Sequence, residues 1–363
     1  MFFLVILAIV IIAIYTFFQQ PQFGKTVSGH DLKKIEQSPN YKNGQFQNNN
    51  PTPQLTDGAS MVEVIRDFFF RKSKRSKPSV SLPSKKVDLF KLNENDDVLV
   101  WFGHSSYFIQ VDGKKILVDP VFSGHASPVS FTTKSFQGSD VYSTQDIPEI
   151  DYLVLSHDHY DHLDYETIKQ LRPKTKTVIT ALGVSSHLQY WGYDRNKIIE
   201  LDWNGQVVLE NNFIVNTTPA RHFSGRGFKR NNSLWLSFVL STPTMRIFLG
   251  GDSGYDDHFG KIGEQFGPFD LVILENGQYN KHWKFIHMMP EEAVQAAIDL
   301  KAKKLLPVHW GKFSLSLHSW DEPIIRLTAE AKKKGVQVVH PMIGEPFYLK
   351  ENSASIEWWR GID

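Results

Sequence analysis

Three histidines and two aspartates fall within six consecutive residues that begin at His157, directly after the apolar run 153–155. The run predicts a buried strand, and polar residues at the carboxyl end of a strand occupy the position where α/β folds place their sites. Histidine nitrogens and aspartate oxygens bind zinc and similar divalent ions. His157 and His159 point the same way on an extended backbone, whereas Asp161 and His162 follow across a turn. The segment therefore predicts ligands for two neighbouring metal ions rather than an exposed polar loop.

Three later loops each offer one further ligand immediately after a predicted apolar strand. They carry His222, Asp252 and His309. Glycines that flank Asp252 and follow His309 allow a close approach of the backbone. A single residue of this kind caps a strand as often as it binds a metal. Three of them in this order, after the first cluster, predict a single metal centre.

The elements that must position these side chains alternate in a regular way. Asp112-Gly113 marks a tight hairpin, Pro173 stops one helix, Pro290 starts another, and Gly335 ends a third. Strands are predicted at 98–102, 107–111, 116–118, 153–155, 177–180, 197–201, 207–209, 213–217, 234–240, 246–249, 271–274, 305–308 and 336–339, and helices at 165–171, 184–190, 290–300 and 322–333. A strand meander followed by strand–helix repeats, with enough apolar strands for two sheets, predicts an α/β fold in the form of a four-layer α/β/β/α sandwich.

The first 18 residues form an apolar stretch interrupted only by Tyr15 and Thr16. At roughly 1.5 Å per residue it is just long enough to cross a bilayer core. Because no basic residue precedes it and no small-residue cleavage site follows it, an uncleaved membrane anchor is favoured over a signal peptide. Basic residues lie only after the stretch, which favours a cytoplasmic catalytic domain.

Residues 19–89 are predicted to form a linker, and residues 90–363 the catalytic domain. The linker is polar and of little regular structure as far as residue 60, and a short helix is predicted at 61–70. Three phenylalanines at 68–70 precede a basic segment containing Arg71, Lys72, Lys74, Arg75 and Lys77. Aromatic rings beside positive charge are typical of a membrane-surface element, and a solvated charged linker is the alternative.

Composition bounds the remaining possibilities. The 363 residues, 41% hydrophobic and 13% aromatic, suit one large or two small globular domains. Forty Lys and Arg residues against 39 Asp and Glu residues give no overall drive toward nucleic acid. The absence of cysteine excludes disulfides and thiolate ligands but leaves the redox compartment undecided. Nothing in the sequence indicates the oligomeric state.

The first cluster resembles the H-x-H-x-D-H motif of the metallo-β-lactamase superfamily. Other stretches resemble the branch that contains N-acyl phosphatidylethanolamine-hydrolysing phospholipase D and the ascorbate-lactone hydrolases. They are Val-Trp-Phe-Gly-His-Ser-Ser at 100–106, Asp-Pro-Val-Phe-Ser-Gly-His-Ala-Ser-Pro at 119–128, His287 with Pro290-Glu291-Glu292-Ala293, and His309-Trp310-Gly311 with Phe313. The Gly124-His125 pair departs from the Ser-Arg expected there, so headgroup contacts at this loop are not implied.

The resemblance implies a site of two divalent ions, with zinc as the expected metal. One ion would be held by His157, His159 and His222, the other by Asp161, His162 and His309, and both by Asp252. Asp161, Asp252 and His287 would take part in catalysis, His287 by contacting substrate. His104 would either support a ligand or simply pack. Trp283 and Phe285 would either line a path for the acyl chain or pack in the core. Basic residues near the site loops would either contact phosphate or remain solvated; they are Arg221, Arg226, Lys229, Arg230, Lys281 and Lys284.

The function that this resemblance implies is a zinc-dependent phosphodiester hydrolase acting on a phospholipid at a membrane surface. It would release N-acylethanolamine and phosphatidic acid. The alternative enzyme is a lactone or other ester hydrolase with the same metal set. A membrane-tethered binding protein without activity is a third interpretation, which the intact set of seven ligands disfavours.

Overall fold

A computed structural model describes residues 2–56, 58–227, 229–351 and 356–362. Met1 and Asp363, at the ends of the predicted anchor and catalytic domain, lie outside the described residues. The helices are α1 (Phe2–Phe18), α2 (Gly29–Ile35), α3 (Met61–Phe70), α4 (Tyr165–Leu171), α5 (Ser185–Tyr190), α6 (His258–Phe266), α7 (Pro290–Asp299) and α8 (Glu322–Lys334). The strands are β1 (Tyr41–Lys42), β2 (Gln45–Phe46), β3 (Val98–Trp101), β4 (Tyr107–Val111), β5 (Lys114–Val118), β6 (Ile150–Leu155), β7 (Thr175–Ala181), β8 (Ile198–Leu201), β9 (Gln206–Val208), β10 (Ile214–Thr218), β11 (Ser237–Ser241), β12 (Arg246–Leu249), β13 (Leu271–Glu275), β14 (Leu305–Val308) and β15 (Pro346–Tyr348).

Two sheets form the centre of the described structure. The first has seven strands in the order β15-β3-β4-β5-β6-β7-β8, and the second has six in the order β14-β13-β12-β11-β10-β9. Strands β5 to β8 run parallel, as do β12 to β14, whereas the remaining neighbours within these sheets are antiparallel. Each sheet therefore carries a parallel part whose strands end at one edge.

Alternating apolar side chains make the second sheet hydrophobic on both faces. Leu249 and Ile273 pack in the core shared with the first sheet. Their neighbours Phe248 and Val272 pack instead with α6, α7 and α8. Burying such a side chain contributes about 1.5–3 kcal/mol each, so the period-two pattern fixes which face meets which layer. With α4 and α5 packed against the first sheet, the four-layer α/β/β/α sandwich predicted from the sequence is confirmed.

One helix was not predicted, and one predicted strand was wrong. The missed helix, α6, contains two glycines, and a Cβ at Gly263 would lie 1.9 Å from the Asp299 carbonyl oxygen. A glycine is therefore required where α6 meets α7. The strand predicted at 336–339 is only a single bridge to Leu305. Pro307, two residues further along β14, has no N–H with which to continue that ladder.

The prediction of a membrane anchor at residues 1–18 is wrong. Helix α1 is apolar and is exposed as far as Thr16, but its 17 residues rise only about 25 Å, less than the roughly 30 Å hydrocarbon core. None of the helices in the described ranges combines the length and apolarity that crossing a bilayer requires. The cytoplasmic placement of the catalytic domain, which was inferred from the anchor's flanking charges, loses its basis as well.

Residues 19–89 contain more structure than the sequence indicates. Helix α2 and the β1–β2 hairpin lie in the stretch expected to be irregular. Ile35 and Phe46 are 1% and 0% exposed and belong to the same core as the first sheet. Their burial is a tertiary effect that the polar surroundings of both residues conceal.

The end of the chain packs beneath a site loop. The Trp358 ring stacks on Trp310 with 5.2 Å between ring centroids and 16° between planes. Trp101 contacts the same two rings. Since Trp310 directly follows His309, this tryptophan cluster supports the loop that carries His309.

Candidate metal centre

The seven side chains predicted as metal ligands lie together at the edge where the carboxyl ends of the parallel strands meet. Four of them follow β6 in the first sheet, and the other three follow β10, β12 and β14 in the second. The arrangement thus takes residues from both sheets, and all seven are buried except His159, which is half-buried.

Three histidines form the first group of ligand atoms. His157 Nε2 lies 2.9 Å from His159 Nδ1, and His222 Nε2 lies 3.2 Å from the same atom. The single ring protons of His157 and His222 lie on Nδ1, where they are donated to the Ser156 hydroxyl and the Ile286 carbonyl, so at most one donor, on His159, remains for the three nitrogens. A shared cation satisfies all three lone pairs at once.

The second group combines a carboxylate with two histidines. Asp161 Oδ2 lies 3.3 Å from His309 Nε2 and 3.5 Å from His162 Nε2. All three side chains offer an atom within a 4.8 Å cluster suited to a metal ion. The group lies beside the first one because His162 and His157 are ring neighbours, with 4.2 Å between centroids.

Asp252 lies between the two groups. Its Oδ2 atom is 3.2 Å from the Nε2 atoms of both His162 and His309, 3.9 Å from that of His157, and 3.7 Å from that of His222. Burial alone would raise the pKa of Asp252, but the neighbouring histidines hold the pKa well below its usual value. One ionised oxygen therefore faces members of both groups.

Asp119, which follows β5, orients two of the histidines. Its Oδ2 accepts hydrogen bonds from His162 Nδ1 at 2.8 Å and from the Ser156 hydroxyl at 2.6 Å. The Ser156 oxygen in turn accepts from His157 Nδ1 at 2.9 Å. Both rings thereby carry their proton on Nδ1, which leaves the Nε2 lone pair directed toward the centre.

Backbone carbonyls orient the histidines from the second sheet. His222 Nδ1 donates to the Ile286 carbonyl oxygen at 2.8 Å, and His309 Nδ1 donates to that of Gly277 at 3.3 Å. A Cβ at position 277 would lie 2.1 Å from the His309 carbonyl oxygen, so only glycine allows this approach.

The donor set fits divalent metal ions. Nitrogen and carboxylate oxygen donors with four such supported histidines are typical of zinc sites and suit related transition metals. Among the described residues, His162 Nε2 and Asp252 Oδ1 are buried without a hydrogen-bond partner. Burying a polar atom without a partner destabilises the folded state, and a bound cation would provide the missing partner for both atoms.

Asp158, between the two first histidines of the motif, holds the loop rather than facing the centre. Its carboxylate accepts from the Gly225 N–H at 2.6 Å, the Ser233 hydroxyl at 2.8 Å and His187 Nε2 at 3.2 Å. Burial alone would raise the pKa of Asp158, but His187, through its hydrogen bond and charge, together with His159 and the Gly225 N–H, keeps the pKa below its usual value. Asp158 thereby fastens the His157 loop to the loop after His222.

His104 contacts a predicted ligand directly. Its Nε2 lies 2.9 Å from Asp161 Oδ2. Its backbone N–H donates to the Trp310 carbonyl at 2.8 Å, and its carbonyl accepts from the His309 N–H at 2.9 Å. Both His104 and His309 adopt positive φ, 53° and 67°, a strained conformation that is concentrated at functional sites. Of the two sequence-based alternatives, the geometry favours support of a ligand.

Sequence reasoning missed Glu275, the last residue of β13. Its Oε2 accepts from His287 Nδ1 at 2.6 Å, and its Oε1 accepts from the N–H groups of Met288 and Ser253. Burial alone would lower the pKa of His287, but Glu275 and Asp252 raise it to about 9. The signal was available, because Glu275 ends an apolar strand as the other site residues do.

Most of the basic residues near the site loops have structural partners. Arg226 is buried and donates to the carbonyls of Asp158, Leu163 and Gln22. Arg221 donates to Pro51 and Tyr255 carbonyls, and Arg230 lies over the Phe223 ring. Lys284 lies over the Phe285 ring, whereas Lys229 and Lys281 remain predictions as phosphate contacts.

The aromatic residues of the 283–285 loop divide between packing and contact with charge. Trp283 is buried against Val64 and Ile286 and stacks on Phe68 of α3. The Arg221 guanidinium lies over the Phe285 ring, with its Cζ atom 4.2 Å from the ring centroid. The acyl-path role proposed for either residue stays a prediction, whereas packing accounts for Trp283.

A sequence profile described as the β-lactamase superfamily domain matches residues 114–310. An uncharacterized protein of Mycobacterium tuberculosis is 37% identical over 329 residues, which cover 90% of this chain and 88% of that protein. The N-acyl-phosphatidylethanolamine-hydrolyzing phospholipase D 1 of Caenorhabditis elegans is 32% identical over 59% of this chain and 64% of its own length. A mitochondrial phospholipase D of the same description from Saccharomyces cerevisiae is 34% identical over 65% and 52%.

Solved structures agree with the fold. A metallo hydrolase of Ignicoccus hospitalis has a TM-score of 0.53 at 19% identity and covers 70% of this chain and 98% of its own. The diiron β-hydroxylase CmlA of Streptomyces venezuelae has a TM-score of 0.55 at 17% identity, covering 71% and 55%. At these identities the likeness concerns the fold alone.

Proposed function

The chain belongs to the β-lactamase superfamily and is a metal-dependent hydrolase, and we propose that it hydrolyses a phosphodiester bond of a phospholipid. The proposed substrate is N-acyl phosphatidylethanolamine, and the products are phosphatidic acid and an N-acylethanolamine. The observation that supports a hydrolytic centre most directly is the position of Asp252 Oδ2, within 3.2–3.9 Å of four histidine nitrogens.

We propose zinc as the metal at both positions. His157, His159 and His222 would hold one ion, Asp161, His162 and His309 the other, and Asp252 both. In such a centre the ions supply Lewis-acid polarisation of the phosphoryl oxygens and activate water for attack. Iron remains the alternative that elemental analysis would distinguish, because the histidine and carboxylate donors suit either metal.

The chain's own residues orient this chemistry. Asp119 and the Ile286 and Gly277 carbonyls hold four histidine rings with Nε2 toward the centre. His287 is held by Glu275 with its Nδ1 4.0 Å from Asp252 Oδ2. We propose that the remaining nitrogen of His287 contacts the phosphate or the departing oxygen. Because these side chains are oriented before the substrate binds, the free-energy cost of reorganising the site during the reaction is small.

The substrate class is supported by the phospholipase D relatives. The aligned parts of both relatives are 32–34% identical to this chain, although this chain spans 64% and 52% of their lengths. Their names state activity on N-acyl phosphatidylethanolamine, and the lipid substrate is transferred here as part of the proposal. Lactone or other ester hydrolysis is the outcome that would replace it.

We further propose that α3 brings the site to a lipid surface. Its inner face packs on Trp283 and Ile286, next to His287. Its outer face exposes Met61, Val62, Ile65, Phe69 and Phe70 by 51–83%. Apolar side chains beside positive charge suit an anionic lipid surface.

Part of the basic segment has another role. Lys72 donates to the Ser314 carbonyl, and Arg75 pairs with Asp321 at 2.6 Å. These two residues hold the loop after His309, and Arg71 pairs with Asp67 of α3 at 3.5 Å. Lys74 and Lys77 are exposed. The proposed lipid contact therefore relies on α3 and on the charges of Lys74 and Lys77.

The test combines metal analysis with a substrate panel. Protein purified without chelators should contain about two divalent ions per chain, and metal-loaded protein should cleave N-acyl phosphatidylethanolamine in vesicles. The panel includes phosphatidylcholine, a water-soluble phosphodiester and sugar lactones. A folded protein that takes up no divalent metal contradicts the metal centre. Efficient lactone turnover without phospholipid cleavage contradicts the substrate while leaving the centre intact.

A further inference from the structure

Residues 46–56, called the strap here, cross three loops that carry proposed site residues. The strap starts at Phe46, which is buried in the main core and whose N–H donates to the Asn231 carbonyl at 2.8 Å. It ends at Thr56, which is 5% exposed. Both ends of the strap are therefore fixed in the folded protein.

The contacts of the strap are hydrogen bonds to the loops themselves. Asn50 Nδ2 donates to Asp256 Oδ2 at 2.9 Å, on the loop that follows Asp252. The Thr56 N–H and hydroxyl donate to the His282 and Lys281 carbonyls at 2.7 and 2.6 Å, on the loop that leads to His287. The strap, which contains no recognisable sequence motif, thus connects loops on both sides of the centre through hydrogen bonds.

Asn48 makes the contact closest to a ligand. Its Nδ2 donates to the His222 carbonyl at 2.7 Å, and its Oδ1 accepts from the His222 N–H at 3.1 Å. The same Oδ1 accepts from Trp235 Nε1 at 3.1 Å. The amide therefore engages both backbone polar groups of one residue, and Trp235 fixes the orientation of that amide.

We infer that Asn48 is a positioning residue for His222, and that the strap is an integral part of the metal centre. The inference rests on the proposed metal centre. His222 is fixed at two points, its backbone by Asn48 and its ring by the Ile286 carbonyl. Without Asn48, only the adjacent residues restrain the backbone of His222. The Nε2 atom of His222 then loses its fixed distance to His157 and His159. Ligand support of this kind typically changes metal affinity by about 10- to 100-fold.

The effect is selective for one ion. His222 belongs to the three-histidine group, whereas Asp161, His162 and His309 have no contact with Asn48 in the described structure. Asn48→Ala should therefore weaken one of two bound ions by about 10- to 100-fold and leave the other unchanged. A role limited to folding would instead lower thermal stability without distinguishing the two ions.

The experiment uses full-length protein loaded with zinc or cobalt, and the variants Asn48→Ala, Asn48→Asp and Asn49→Ala. Competition with a chromophoric chelator measures the affinity of each ion, and visible absorption reports the cobalt geometry at saturation. Asn49 is the matched control because it is adjacent and exposed. Asn48→Asp keeps the acceptor for the His222 N–H and for Trp235 but loses the donor to the His222 carbonyl. This variant tests the inference if Asn48→Ala does not fold.

The expected result is one weakened ion and a changed cobalt spectrum in both Asn48 variants, with wild-type behaviour in Asn49→Ala. Two ions bound as tightly as in the wild type, with an unchanged spectrum, would overturn the positioning role. Fewer than two ions in the wild-type protein would instead overturn the proposed metal centre, so the two failures are distinguishable.

Discussion

Replacing Asp119 by asparagine tests whether one buried carboxylate orients histidines in both groups of proposed metal ligands. Its Oδ1 accepts from the Ser156 N–H at 2.8 Å, and its Oδ2 accepts from the Ser156 hydroxyl and from His162 Nδ1. Asparagine has nearly the same shape but offers one acceptor oxygen and one NH₂ donor. Every orientation of that amide therefore places its NH₂ against at least one existing donor.

The magnitude follows from the two possible orientations. If the amide oxygen keeps the Ser156 N–H, the NH₂ group faces His162 Nδ1, which must then become an acceptor and carry its proton on Nε2. If the amide is turned, the NH₂ group faces the Ser156 N–H inside the protein. A hydrogen bond to a charged group is worth about 1.5–3 kcal/mol, and about 1.4 kcal/mol corresponds to a factor of ten. We therefore expect metal affinity to fall by about 10- to 100-fold, for both ions, because Asp119 also reaches His157 through Ser156.

The assay is chelator competition on the Asp119→Asn protein, with Asp151→Asn as the control. Asp151 is also buried and lies on β6, at the end away from the site, where it accepts from the Lys115 N–H and pairs with Lys176. The control should lose thermal stability and keep wild-type metal affinity. Asp119→Asn protein that is folded and binds both ions within twofold of wild type would refute the argument.

Three further predictions follow from the same geometry. Asp252→Asn should lower turnover by more than about 100-fold, beyond the range for residues that only support ligands, whereas Asp257→Asn, at an exposed position, should not change it. Neutralising Lys74 and Lys77 to glutamine should weaken binding to anionic vesicles by about 30-fold, at about 1 kcal/mol per charge, without changing turnover of a water-soluble phosphodiester; equal losses in both assays would contradict the lipid contact. Trp358→Ala should cost about 3–5 kcal/mol of unfolding free energy, measured by urea denaturation, and a loss below 1 kcal/mol would show that the tryptophan cluster is not supporting the fold.

The sequence was sufficient for the features that local pattern determines. Helix α3 and helix α4 occur where they were predicted, because apolar spacing and terminal signals define them. The positions of the proposed ligands were predictable for a related reason. Each ligand-bearing segment follows an apolar strand, and parallel strands bring their carboxyl ends to a common edge.

Features that depend on contacts between distant segments were not predictable from the sequence. Asn48 lies in a polar stretch without periodicity, and only the fold brings it to His222, 174 residues away. Arg226 resembles a phosphate-binding residue in sequence, yet the structure buries it against three backbone carbonyls. The apolar character of residues 2–18 was real, but composition alone did not establish that the helix is one turn too short.

Because each proposed ion takes ligands from both sheets, the metals would act as cross-links across the sandwich. The shortest connection closes a loop of 63 residues between His159 and His222, and another closes 148 residues between Asp161 and His309. Neither set of ligands is assembled in an unfolded chain or in one sheet alone, since the loop-closure entropy must first be overcome by docking of the sheets. Metal capture would therefore come late in folding. Bound metal would slow unfolding while leaving the folding rate nearly unchanged, so the centre would contribute kinetic stability as well as chemistry.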